Sequence, residues 1–125
     1  EVEAGQRHLV YPLPTDARTL TRVLIPTAPS LIVCDVSFIG AAKALATPLS
    51  LAAESADLIA LIKPQFEAGP NAGKSGVLSD DIARAAADAA IASLDGVEGF
   101  HVVASTDSAI RGGDGNLERL LHMRR

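Results

Sequence analysis

The 125 residues suffice for one domain that would bury about two-thirds of its extended surface, and leave no room for a second of ordinary size. Apolar residues at 48% and charged residues at 21% exclude disorder, collagen and coiled coil, and three Phe, one Tyr and no Trp exclude aromatic stacking as a main way of holding bases. A formal net charge of −4 argues against a nonspecific nucleic-acid binder while leaving room for a local basic site.

Cys34 is the single cysteine, which excludes an intrachain disulfide and a multi-thiolate zinc site and suits a cytoplasmic protein with a buried thiol. No run approaches the roughly 20 apolar residues of a membrane helix. The chain opens on Glu1 rather than Met, as a fragment or processed product would.

In chain order, His8-Leu9-Val10-Tyr11 ahead of Pro12 and Pro14 predicts a brief edge strand. Thr21 to Ile25 has room for about a turn and a half of helix before Pro26 and Pro29. Leu31 to Phe38 is the strongest strand signal, starting with an aliphatic run suited to a sheet buried on both faces. Ala41 to Leu51, after Gly40, predicts a helix kept short by Pro48. Leu58 to Lys63 is a second buried strand, stopped by Pro64.

Residues 64 to 78 form a Gly/Pro/Asn loop, and Ser79 then caps a helix reaching about Leu94, with Asp80 and Asp81 favourable at its positive end. Ile82, Ala86, Ala90 and Leu94 are expected to face the sheet, and Arg84 to pair with Asp88. After Asp95-Gly96, Phe100 to Ala104 is a strand and residues 110 to 116 a glycine-rich loop. Leu117 to Met123 fits both helical and alternating spacing, with a slight local lean to helix. Strands alternating with helices give an α/β class.

In an open parallel sheet the ligand crevice lies beyond the carboxyl ends of the strands, so Asp35 with Ser37 on one strand and Lys63 on the next would open together as a candidate acid–base pair. Glu118, beside a glycine-rich turn, either accepts backbone donors or closes a catalytic cluster, and Glu67 is a loop solubiliser or a substrate contact. Ala68 to Ser75 superficially matches a phosphate-binding loop. It fails as one because it does not leave a strand directly and because Gly76 opposes a helix start after Ser75. His8, His101 and His122 are dispersed and form no local metal motif.

Four ordered motifs, Asp35-Val-Ser-Phe-Ile39, Lys63-Pro-Gln-Phe-Glu67, Gly73-Lys-Ser-Gly-Val77 and Gly115-Asn-Leu-Glu118, together resemble the hemolysin-A-type (TlyA-like) ribosomal RNA methyltransferases, a branch of the FtsJ-like 2′-O-methyltransferases. The resemblance runs from about Thr15 to Arg125. It implies a three-layer Rossmann-like fold with a mostly parallel sheet and an antiparallel last strand, Leu117 to Met123, of which this chain holds the C-terminal half in strand order 4-5-7-6. The first catalytic lysine, the glycine-rich donor loop and an S4-like RNA-binding domain would then lie upstream of Glu1.

The same resemblance implies S-adenosylmethionine as methyl donor and a ribose 2′-hydroxyl of ribosomal RNA, or of a ribosomal subunit, as acceptor. Asp35, Lys63 and Glu118 take the catalytic positions, with no metal. Asp16, in a segment like the one lining the adenine pocket, joins Asp35, Ser37 and Phe38 on the donor side, although the family often has Asn at the position of Asp16. Lys63, Gln65, Glu67, Lys74 and Asn116 fall on the substrate side. Ala109 departs from the family's usual proline. The isolated chain is expected to be inactive, and the uncovered apolar edge of its first core strand to seek a partner, such as a second copy. The alternatives are a non-catalytic RNA-binding or membrane-active hemolysin-like protein, and a P-loop-like nucleotide binder.

Overall fold

The structure is a computed structural model that describes residues 10–37, 39–68 and 77–125. His8 and Leu9 of the proposed edge strand, Phe38, the stretch Gly69 to Ser75 of the phosphate-loop-like motif with its Lys74, and Gly76 lie outside the described residues. Val10 and Tyr11 are exposed and belong to no strand.

Four strands, β1 (Leu31–Cys34), β2 (Asp57–Ile62), β3 (His101–Asp107) and β4 (Arg119–Arg124), form one sheet in the expected order β1-β2-β4-β3. The terminal segment is thus a strand, against its local lean to helix. The expected order and the expected reversed last strand both hold, but the mostly parallel sheet does not. Only β1 and β2 pair parallel, whereas β4 runs antiparallel to both β2 and β3, so the sheet is mostly antiparallel rather than mostly parallel. The cause is position: a reversed strand at an edge makes one antiparallel ladder, but β4 returns from β3 and inserts between β3 and β2, making two of the three. β1 and β2 stay parallel because α1 (Ala41–Ser50) supplies the crossover that a parallel pair requires.

The layering differs as well. Along β2, Leu58, Ala60 and Ile62 are fully buried while Ile59 between them is partly exposed. Leu58, Ala60, Ile62, Leu121 and Met123 share one core with Leu45 and Leu49 of α1 and with Ala87, Ala90 and Leu94 of α2 (Asp80–Leu94). Both helices therefore cover the same face, and the described residues form two layers instead of three. Leu31 and Val33 point to the open face and are 58% and 73% exposed, which overturns the reading of β1 as buried on both sides. Only Ile32 and Cys34 of β1 pack on the core.

α2 begins where its cap predicts, with the Ser79 hydroxyl accepting the Ile82 amide at 3.3 Å. Its buried stripe is Ala83, Ala87, Ala90 and Leu94; Ile82 is exposed and Ala86 only half-buried. A strict four-residue step drifts about 40° per step around a 3.6-residue helix, so the expected stripe was right only at its C-terminal end. Arg84 reaches Asp107 at 3.2 Å rather than Asp88, which pairs with Arg119 at 3.1 Å. Both pairs tie α2 to the far strands. Gly96, at φ +90°, provides the left-handed turn that leads the chain back toward β3.

α1 runs ten residues with Pro48 in its last turn, where the missing N–H removes the bond to the Ala44 carbonyl and the helix ends two residues later. The Thr21–Ile25 helix reduces to one turn, closed by the Ile25 amide on the Thr21 carbonyl at 2.9 Å. At the opposite end of the sheet from Lys63, Arg125 donates to the carbonyls of Ala52, Ala53 and Glu98 and lies 5.0 Å over the ring of buried Phe100. No helix of the described residues is long and apolar enough to cross a membrane.

Candidate active site at the strand tips

Because β1 and β2 are adjacent and parallel, the residues that follow them emerge at the same end of the sheet. Asp35 follows Cys34. Lys63 follows Ile62, and Pro64 then ends the ladder by starting a short 3-10 turn, Pro64–Phe66. The Lys63 ammonium lies 2.7 Å from Asp35 Oδ1 and donates to Ser37 Oγ at 3.1 Å. Its side chain is only 15% exposed, whereas that of Asp35 is 67% exposed, so the amine is held under a carboxylate that itself faces solvent.

β4 brings the third group. Its reversed direction sets Arg119 opposite Ile62, so the residue just before β4, Glu118, arrives at the level of Lys63. Glu118 is buried at 6% exposure. Burial pushes its carboxyl pKa up, the nearby Lys63 charge opposes this, and Asp35 and Asp114 add to the rise. One cation thus interacts with several acids, of which one is held toward its neutral form.

The loop before β4 is built to place that acid. Fully buried Asn116 accepts the Leu78 amide through Oδ1 at 2.8 Å, and Ser108 N donates to the Glu118 carbonyl at 2.8 Å. Leu78, Ala83 and Leu117 form a small core beneath, joining the loop to the first turn of α2. Arg111 forks onto Asp80 with both bonds at 2.9 Å and also reaches the Gly115 carbonyl, clamping the loop from outside. At Gly112 a Cβ would overlap the Glu118 carboxylate and stand 3.2 Å from Asp114 Oδ1, so glycine there allows close approach.

The other sequence-predicted residues divide. Gln65 donates to Asp114 Oδ2 at 3.4 Å, near the same centre. Glu67 accepts the Ala41 amide at 2.6 Å, filling the capping role that Gly40 lacks a side chain to perform. Asp16 caps the 3-10 turn Ala17–Thr19 and forks with Arg18, which holds its carboxyl down to about 2. Asp16, Arg18 and Ser37 line one cleft of about 410 Å³ together with Val36, Ile39 and Ala44. Asp35 belongs to the Lys63 pair rather than to that cleft's lining.

Asp114, Gly112 and Arg111 escaped the sequence reading; the Gly112-Gly-Asp-Gly115 run was the signal, since close glycines flanking an acid mark a turn built around that acid. Among the described residues, no group of three or more His, Cys, Asp or Glu side chains is arranged to hold a metal ion.

Comparison with known proteins shows the family of the chain. The FtsJ-like methyltransferase family matches residues 7–125. The chain is 38% identical over 111 residues to the 16S/23S rRNA (cytidine-2′-O)-methyltransferase TlyA of Mycobacterium tuberculosis, covering 88% of this chain and 41% of that protein. It is 34% identical over 134 residues to Hemolysin A of Brachyspira hyodysenteriae, covering 97% of this chain and 55% of the relative. A solved chain named "Putative hemolysin from Streptococcus thermophilus" superposes with a TM-score of 0.80 at 30% identity, over 89% of this chain and 41% of that one. The chain thus spans about half the length of the relatives it matches. With a match that runs nearly end to end and the strand-tip lysine and acids on the page, the chain belongs to the FtsJ-like methyltransferase family.

Proposed function

We propose that the whole protein transfers a methyl group from S-adenosylmethionine to a ribose 2′-hydroxyl of ribosomal RNA in the cytoplasm, and that this chain supplies the back of its methyltransferase domain, with the glycine-rich donor loop and an RNA-binding domain outside it. The observation that carries the reading is Lys63, held 2.7 Å from Asp35 and electrostatically coupled to buried Glu118 at the tips of adjacent strands. A half-buried amine among acids suits a reaction in which a hydroxyl oxygen must gain negative charge and lose its proton.

The cleft beside Ser37 fits the adenosine part of the donor: Val36, Ile39 and Ala44 offer apolar walls, and Asp16 and Ser37 polar atoms at the rim. When bound, S-adenosylmethionine supplies an electrophilic methyl group. This chain's residues then act on the acceptor hydroxyl. Lys63 stabilises the developing alkoxide, or takes the hydroxyl proton when it is neutral, while Asp35 and Glu118 fix its position and its charge. The bond formed is carbon to ribose oxygen, the bond broken is methyl carbon to sulfur, and the hydroxyl proton leaves through Lys63 or to water. Gln65 edges the acceptor side, whereas fully buried Asn116 serves it indirectly by holding Leu78 and the loop that carries Glu118.

The test is to incubate the whole protein with isotopically labelled donor and ribosomal RNA and to map the label. Label that makes one ribose linkage resistant to alkaline hydrolysis is the expected result. Label on a base, or none at any ribose with donor bound, contradicts the assignment. The 125-residue chain assayed in parallel is expected to give no product.

A further inference from the structure

We propose that Asp114, which lies outside the catalytic set inferred above, is a positioning residue for Glu118: it pins the turn that presents Gly112 to the Glu118 carboxylate and sets how strongly Glu118 and Lys63 couple. The inference rests on the reading of Glu118 as part of the reactive centre. Its basis is geometric. The Asp114 carboxylate accepts the Asn116 amide at 3.1 Å, and the Gly112–Asn116 turn is closed by the Gly115 amide on Gly112 O at 2.9 Å and the Gly112 amide on Asn116 O at 3.0 Å. Both acids converge on the space that a side chain at 112 would fill, with Asp114 Oδ1 3.2 Å from that point and Glu118 overlapping it. Gln65 reaches Asp114 from the turn after β2, so Asp114 links the Lys63 segment to the Glu118 loop.

The charged groups that bear on Glu118 are Lys63 from the end of β2, Asp35 from the end of β1 and Asp114 from its own loop. Asp35 is committed to Lys63 at 2.7 Å. Among the described residues, Asp114 is thus an acid whose charge acts on Glu118 without an ion pair to a lysine, and it lies on the segment that fixes where Glu118 stands. The amides of the turn neutralise part of its charge, and Asp114 is exposed, so solvent screens the rest and the effect on Glu118 is modest.

Asp114→Asn separates the two roles because the amide oxygen still accepts the Asn116 N–H while the charge is gone. In this chain, carbon-detected NMR titration of the Glu118 carboxyl is expected to show its midpoint falling by on the order of 0.3 pH unit, about a two-fold change in proton affinity. Asp114→Ser, which also keeps an oxygen acceptor, is expected to shift it in the same direction, and Asp114→Ala to speed hydrogen exchange at the Asn116 amide as well. A Glu118 midpoint unmoved in both neutral variants overturns the proposal, even if Asp114→Ala loosens the turn. The acid limb of the whole protein's pH–rate profile is expected to move down with the NMR midpoint. An NMR shift without a kinetic one leaves Asp114 coupled to Glu118 and instead removes Glu118 from the reaction.

Discussion

β2 carries a charged cluster at each end, and the two are built in opposite ways. At its start, Oδ1 of the Asp57 carboxylate accepts both His122 Nε2 at 2.7 Å and Arg124 Nε at 2.9 Å, so one acid is matched by two basic side chains. At its end, one lysine is shared among Asp35, Glu118 and Asp114, and one of those acids is buried. The first arrangement lowers the pKa of its carboxyl, through His122 foremost and then Arg124; the second raises the pKa of Glu118 through burial. An acid outnumbered by basic partners is held ionised and has no proton to exchange at neutral pH. An under-neutralised acid beside an amine stores the imbalance that proton transfer uses.

The contrast is sharpened most by Glu118→Gln. Glu118 binds its proton more tightly folded than unfolded, so its ionisation penalises the fold as pH rises above the ordinary carboxylate value of 4.5, and the penalty is complete above the raised folded value. The variant is therefore expected to raise the chain's melting temperature at neutral pH and to lower the whole protein's turnover by about 100-fold or more. A variant that loses both stability and turnover would make Glu118 merely structural.

Gly112→Ala comes next. Its Cβ meets the Glu118 carboxylate, and the expected cost is about 1–3 kcal/mol in chemical denaturation. Asn116→Ala should fall in the same range, because it strands the buried Leu78 amide, and hydrogen exchange at Leu78 should rise with it.

The smallest effect belongs to the other end of β2. The folded pKa of Asp57 is depressed, so its stabilisation is present above the unfolded value near 3.8 and is lost as pH falls through the lower folded value. Asp57→Asn should flatten the stability curve in that acid range and leave turnover unchanged. A loss of turnover would erase the distinction between the two ends.

Local chemistry made parts of this molecule legible. Ser79 with Asp80 and Asp81 announced a helix start, Pro64 announced the end of a strand, and the polar exits Asp35 and Lys63 were found where an α/β sheet places its crevice. Strand direction was another matter. The mostly parallel expectation failed because, among the described strands, a reversed β4 between β2 and β3 makes two of the three ladders antiparallel, a balance set by tertiary placement and not by the alternation of its residues. Glu67 shows the same limit, since its capping of Ala41 spans 26 residues and leaves no trace in local spacing. Glu118 stood out as an acid beside glycines, but its burial against Gly112 and its link to Asp114 required the folded loop.

Lys63 is the centre of the proposed chemistry, and single-turnover methyl transfer by the whole protein carrying Lys63→Ala tests that role most directly, with donor affinity measured on the same preparation by calorimetry. The expected result is a rate at least about 100-fold below that of the unaltered protein with donor affinity unchanged. A rate within a few-fold of the unaltered protein would contradict the claim that the strand-tip amine governs the reaction.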